Sequence, residues 1–166
     1  RRIALVVMSF VGTTPKRMVF GLMLTTTFLS AFMSNTATAA MMVPVAMALI
    51  TLVHSTKAAG DPDAVTHERN FSLCILLALA DGASIGGMAT LIGSPPNGIY
   101  MRFMEQTYGQ VVSIASWMKV GVPVTLLLFI VSFFVLTGLM FRNMGGSVPG
   151  GKEWVRNELR SMGKLS

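Results

Sequence analysis

Polar side chains appear where the surrounding sequence is almost wholly apolar. Between Met18 and Val53 no residue is charged, yet the middle of that run reads Ser34-Asn35-Thr36, with Ser30 about one helical turn before it and Thr38 just after. Hydroxyl and carboxamide oxygens are ligands for a hard cation, while hydroxyl and amide hydrogens are donors for an anion. A second interruption follows at Gly93-Ser94-Pro95-Pro96-Asn97. Two adjacent prolines have no amide hydrogen, so a helix entering this stretch must break and leave its last carbonyls without donors. Ile92 and Gly93 are the candidates for those free carbonyls, and Asn97 and Gly98 for a new helix start rich in amides. A carbonyl end attracts cations and an amide end attracts anions. Asp81 is a third feature, an acid about eleven residues into the otherwise uncharged segment that begins at Phe71.

The elements that position these groups follow from composition. The chain has 166 residues, 52% of them hydrophobic and only 12% charged, against about a quarter charged in soluble domains. The class expected is an all-α polytopic membrane protein. The 36-residue uncharged run is long for one crossing and short for two. The polar knot divides it into arms of 16 and 17 residues, each reaching roughly 25 Å as a helix against a hydrocarbon core of ~30 Å. A re-entrant helical hairpin over 18–53, turning at Ser34-Asn35-Thr36, fits those lengths. Before it lies a surface segment, 1–17, whose end Thr13-Thr14-Pro15 reads as a helix start. After it come a polar connector, 54–70, and a broken transmembrane helix, 71–105, that stops near Ile92 and restarts at Asn97. A last transmembrane helix, 120–141, lies between Lys119 and Arg142, and a polar tail, 142–166, closes the chain.

Charge placement argues for the hairpin topology. Four Lys/Arg precede the hairpin, two lie in the connector and five in the tail, with Arg102 and Lys119 alone flanking the opposite loop. A hairpin that returns to its own side puts the larger groups on one face, the cytoplasmic one by the positive-inside rule. The net charge of +6 is thus a matter of membrane orientation and not of nucleic-acid binding. The single cysteine, Cys74, permits no intrachain disulfide. The opening Arg1-Arg2, with no initiator methionine, suggests a piece of a longer protein.

Blander readings compete at several positions. Serine and threonine in membrane helices commonly bond back to their own helix or let neighbours approach. Gly82 to Ala89 reads as such a close-packing face, the methionines as apolar filler, and His54 and His67 as solvated connector residues without metal-ligand spacing. A membrane enzyme with Ser34 as nucleophile lacks a base, because His54 lies roughly 25 Å along the arm. Non-enzymatic transport is the stronger expectation: two broken helices meeting at mid-membrane form the recurring site of secondary transporters.

Two segments, SNTATAAMMVPVA (34–46) and SIGGMATLIGSPPN (84–97), resemble the divalent anion:sodium symporter family, the sodium-coupled dicarboxylate, citrate and sulfate transporters. The resemblance runs from about Lys16 to the last span. It implies a secondary active transporter that couples sodium entry to uptake of a small di- or tricarboxylate or a divalent inorganic anion, with sodium co-transported and no organic cofactor. It implies sodium ligands at Ser30, Ser34 and Asn35 with the Gly93 backbone, and substrate contacts at Asn35, Thr36 and Ser94. Many relatives carry threonine where this chain has Ser94. It also implies a lipid bilayer of the plasma or inner membrane, the remaining half of the same transporter with a second Ser-Asn-Thr hairpin, and a homodimer. Asp81 stands where an uncharged, often aromatic, residue is expected. A coupling or gating role for it keeps a proton-coupled or exchange transporter open as the alternative, ahead of a channel or structural membrane subunit.

Overall fold

The computed structural model describes residues 14–55, 62–142 and 144. Every regular element among them is helical: α1 (Pro15–Ser30), α2 (Asn35–Ser55), α3 (Pro62–Gly86), α4 (Pro95–Tyr108) and α5 (Ile114–Phe134), the last running on into a π-helical turn, Val135–Met140. Helices α1, α3 and α4 each open on proline, whose fixed φ and missing amide suit a first helical position. Helix α5 opens on Ser113, whose Oγ accepts the Ser116 amide at 3.1 Å. Its π-helical end is marked by the Phe141 amide, which bonds five residues back to the Leu136 carbonyl at 2.9 Å.

Several boundaries differ from those read in the sequence. Helix α3 starts at Pro62, so the second half of the expected connector is helical. The same helix ends at Gly86, six residues before Ile92, because paired glycines and a crossing backbone stop it before the prolines do. Helix α4 restarts at Pro95 and not Asn97. The Ser113 cap starts α5 ahead of Lys119, which becomes an exposed helical residue. Of the surface segment only 14–17 is described, and of the tail only 142 and 144; the remainder of both expectations lies outside the described residues.

The core forms where three helices meet. Met18, Leu22 and Met23 of α1, Met42, Val45 and Leu49 of α2, and Phe71, Cys74, Ile75 and Ala78 of α3 belong to one buried cluster. Helix α1 lies almost in backbone contact with α3. A Cβ on Gly82 would stand 2.9 Å from the Met23 carbonyl oxygen, and one on Gly86 would overlap the Thr27 carbonyl. Small residues one turn apart let the backbones approach this closely, the packing that apolar surroundings favour. Thr25 and Thr26 keep their buried hydroxyls satisfied by bonding back to the Gly21 and Leu22 carbonyls at 2.8 Å.

Those contacts also fix direction. Met23 opposes Gly82 and Thr27 opposes Gly86, so α1 and α3 run the same way and end side by side. Helix α2 returns, and His54 near its end meets Ser72 at 3.4 Å and Glu68 at 3.9 Å. His54 is exposed, as expected, and has these two neighbours on α3. Helix α5 runs antiparallel to α3, and Phe20 of α1 packs edge-on against its Phe129 and Phe133 at 5.6 and 5.3 Å.

Two stretches among the described residues, Asn35–His54 and Ile114–Met140, are long and apolar enough to cross a membrane. Leu126, Leu127, Ile130, Val131, Phe134 and Leu139 are exposed along the second. So broad an apolar face is out of place on a water-soluble monomer and ordinary against lipid.

Candidate functional site

The two interruptions lie against each other. At the first, α1 ends at Ser30 and a four-residue turn, 31–34, leads to α2. Ser34 caps the new helix: its carbonyl accepts the Thr38 amide at 2.9 Å and its hydroxyl the Ala37 amide at 3.3 Å. The Asn35 and Thr36 amides have no acceptor among the described residues, so this end offers two donors to an anion. At the second, 87–94 is non-helical between α3 and α4.

Close contacts tie the first interruption to the second and to the end of α3. Ser30 Oγ lies 2.5 Å from the Ala83 carbonyl oxygen and 2.8 Å from Asn35 Oδ1. The Thr90 hydroxyl donates to the Ala31 carbonyl. A Cβ on Gly87 would overlap Asn35 Oδ1, so only glycine lets that carboxamide sit against the unwound strand. A Cβ on Gly93 would stand 2.9 Å from the Ser30 carbonyl oxygen. Ser30 is fully buried and Asn35 half-buried.

The chemistry follows from counting protons. A serine hydroxyl has one hydrogen, yet two oxygens stand within hydrogen-bonding distance of Ser30 Oγ. When it donates to Ala83, the Asn35 oxygen is left without a donor there and is free to face a cation. The carbonyls of Ile92 and Gly93 likewise receive no hydrogen bond among the described residues. Neutral oxygens that receive no hydrogen are the ligand type that suits a monovalent cation.

The structure brings Ser30, Asn35 and Gly93 together. Ser34, at the end of the turn and engaged in capping, and Thr36, in the first turn of α2, are exposed, and Ser94 is half-buried beside Gly93. At the helix start expected at Asn97 and Gly98, the Asn97 amide is not a free donor. Pro95 and Pro96 have no amide hydrogen, and the Asn97 amide bonds to the Ser94 carbonyl at 3.1 Å.

Sequence reasoning missed the residues that hold the break open. The buried Asn97 side chain donates to the Gly87 and Thr90 carbonyls, both at 2.8 Å, and so clamps the loop across its neck. Thr90 ties the loop to the turn. Trp117 Nε1 donates to the Met88 carbonyl at 3.0 Å. The signal for Asn97 was present, since a polar residue directly after two prolines sits where released carbonyls gather. Trp117 has no local sequence signal, because its partner is 29 residues away.

Asp81 is set apart from this cluster. It lies five residues before the end of α3, about 7.5 Å by helical rise. It faces α5, where Ser132 Oγ donates to its Oδ2 at 2.6 Å.

Residues 1–161 match the family model described as citrate transporter. The chain is 33% identical over 166 residues to the sodium-dependent dicarboxylate transporter SdcS of Staphylococcus saprophyticus, covering 99% of this chain and 31% of that protein. It is 33% identical over 164 residues to SdcS of Staphylococcus aureus, again covering 99% and 31%. The chain thus spans about a third of the length of the curated relatives it matches.

Proposed function

Because this chain belongs to the citrate transporter family, we propose that it carries the first of two half-sites of a sodium-coupled secondary transporter for a small di- or tricarboxylate or a divalent inorganic anion. A transport protein, and not an enzyme, is what family membership implies. The observation that carries the reading is the meeting of the two breaks, where Ser30 and Asn35 of the turn lie against Gly87 and Gly93 of the unwound strand. Sodium coupling is supported by the names of the two relatives and by the oxygen-rich, uncharged character of that meeting point.

In this reading sodium is co-substrate and seats first, on Asn35 Oδ1, Ser30, Ser34 and the Gly93 carbonyl. Its charge offsets the cost of bringing an anion into low dielectric. The anion then takes the two free amides at the start of α2, the Thr36 hydroxyl and Ser94. The remaining substrate contacts, and hence the choice among anions, belong to the other half of the transporter, and two such transporters pair as a homodimer.

Helix α1 has 16 residues and reaches about 24 Å, short of the ~30 Å hydrocarbon core, while α2 with 21 residues reaches about 31 Å; in this reading the short α1 sets the depth, and α1 and α2 act as a re-entrant hairpin with its tip inside the membrane and the end of α2 extending beyond the core. Its open end, where α1 starts and α2 gives way to α3, faces the cytoplasm by the positive-inside rule. Alternating access is movement of the loaded unit against a static scaffold.

Asp81 favours one second reading, a proton-coupled or exchange-type anion transporter of the same superfamily. It is an acid at membrane depth with a single hydroxyl partner among the described residues. The two readings separate in proteoliposomes of the full-length transporter. A sodium gradient at symmetric pH drives accumulation if sodium is coupled, and a pH gradient without sodium drives it if protons are. Flux that equilibrates without accumulating under either gradient would leave a channel.

A further inference from the structure

We infer that one face of α5, carrying Trp117, Gly121 and Thr125, is a positioning device that sets the sodium affinity of the tip site by holding the chain path from Ile85 to Ala89. The inference rests on the sodium-coupled reading above. Ending α3 at Gly86 releases carbonyls that a continuing helix would have bonded. The Ile85 carbonyl accepts the Met88 amide at 3.2 Å and the Thr125 hydroxyl at 3.4 Å. The Met88 carbonyl has one donor among the described residues, the Trp117 indole at 3.0 Å. Indole is a donor only and its ring is rigid, so this bond fixes both distance and direction.

Gly121 makes the approach possible. A Cβ there would stand 2.8 Å from the Met88 carbonyl oxygen, 2.9 Å from that of Ala89 and 3.0 Å from Trp117 Nε1. Tyr100 of α4 packs against the indole, with ring centroids 5.8 Å apart. A tryptophan that merely anchors a helix at the membrane surface turns its N–H to water or headgroups. This one turns inward onto the broken strand.

The link to the cation site is two residues long. Met88 is adjacent to Gly87, whose missing Cβ is the space Asn35 Oδ1 occupies. Any shift of the Met88 carbonyl moves Gly87 against or away from the Asn35 carboxamide. Trp117 and Thr125 do not touch the ion in this scheme; they act on a ligand through the strand.

The test uses the full-length transporter in proteoliposomes, with the best-transported of radiolabelled succinate, citrate and sulfate as probe. Trp117→Phe keeps a ring and removes the donor. The sodium concentration for half-maximal uptake is expected to rise about five- to tenfold, the worth of one lost hydrogen bond to a half-buried carbonyl. The substrate KM at saturating sodium and the maximal rate should stay within about twofold of wild type. An unchanged sodium requirement overturns the inference, as does a parallel fall in rate and substrate affinity, which marks general damage. If Trp117→Phe fails to reach the membrane, Thr125→Val is read the same way. It removes the longer of the two bonds, with an expected rise of about twofold, and no rise overturns the inference. Wild-type uptake indifferent to sodium would instead overturn the sodium-coupled reading itself.

Discussion

Gly87→Ala tests the contact between the two breaks with one methyl group. The added Cβ would overlap Asn35 Oδ1 and stand 3.1 Å from Asn35 Cγ and 3.2 Å from Nδ2. All three atoms belong to one side chain, so the cheapest relief is rotation of the Asn35 carboxamide away from the strand. That rotation breaks its 2.8 Å contact with Ser30 Oγ and withdraws an oxygen from the proposed cation seat. Loss of one oxygen partner to a charged group costs about 1.5–3 kcal/mol, which is roughly a ten- to hundredfold weaker sodium affinity. The clash is met by a side chain and not by backbone, so folding should suffer less than binding. The assay is sodium-dependent uptake by the full-length transporter in proteoliposomes, normalised to protein inserted. Gly98→Ala is the matched control, since a Cβ there meets nothing within 4 Å. An unchanged sodium requirement in Gly87→Ala, with normal insertion, would show that the Asn35 oxygen does not face the cation.

Two further substitutions separate packing from coupling. Gly86→Ala drives a methyl into the Thr27 backbone carbonyl, which no rotamer change can relieve, so α1 and α3 must part at a cost of about 1–3 kcal/mol or more. A lowered unfolding temperature of the detergent-solubilised protein is expected, and an unaltered one would contradict the close α1–α3 approach. Asp81→Asn keeps a side chain able to meet Ser132 while removing a group that can exchange protons. Sodium-driven uptake should survive, and any uptake driven by a pH gradient alone should vanish; persistence of the latter would exclude Asp81 as the proton carrier.

Much of the architecture was legible because membrane helices announce themselves by uncharged length and breaks by polarity or proline. Ser34-Asn35-Thr36 marked the first turn only approximately, since the turn is 31–34 and Asn35 and Thr36 already begin α2, and Pro95-Pro96 marked the second break to within a few residues. The error at Ile92 has a tertiary cause: α3 ends early because Gly86 and Gly87 must admit the Thr27 carbonyl and the Asn35 side chain, which local sequence cannot show. The early start of α5 was hidden by Lys119, which looked like a boundary and is an exposed residue on a helix already begun at Ser113. Within the site, Ser30 and Asn35 were readable from residue type. Their supports, Thr90, Asn97 and Trp117, donate to backbone carbonyls, and any residue can supply a carbonyl. The second break misled in one respect, since the Asn97 amide, read as a free donor, is taken up by the Ser94 carbonyl.

The most direct measurement is equilibrium binding of sodium-22 to the purified full-length transporter, wild type beside Asn35→Ala. Loss of the sodium bound at the first half-site, with the fold intact by thermal unfolding, is the expected result. Undiminished sodium binding by a folded Asn35→Ala protein would contradict the assignment of a cation seat to the place where the two broken helices meet.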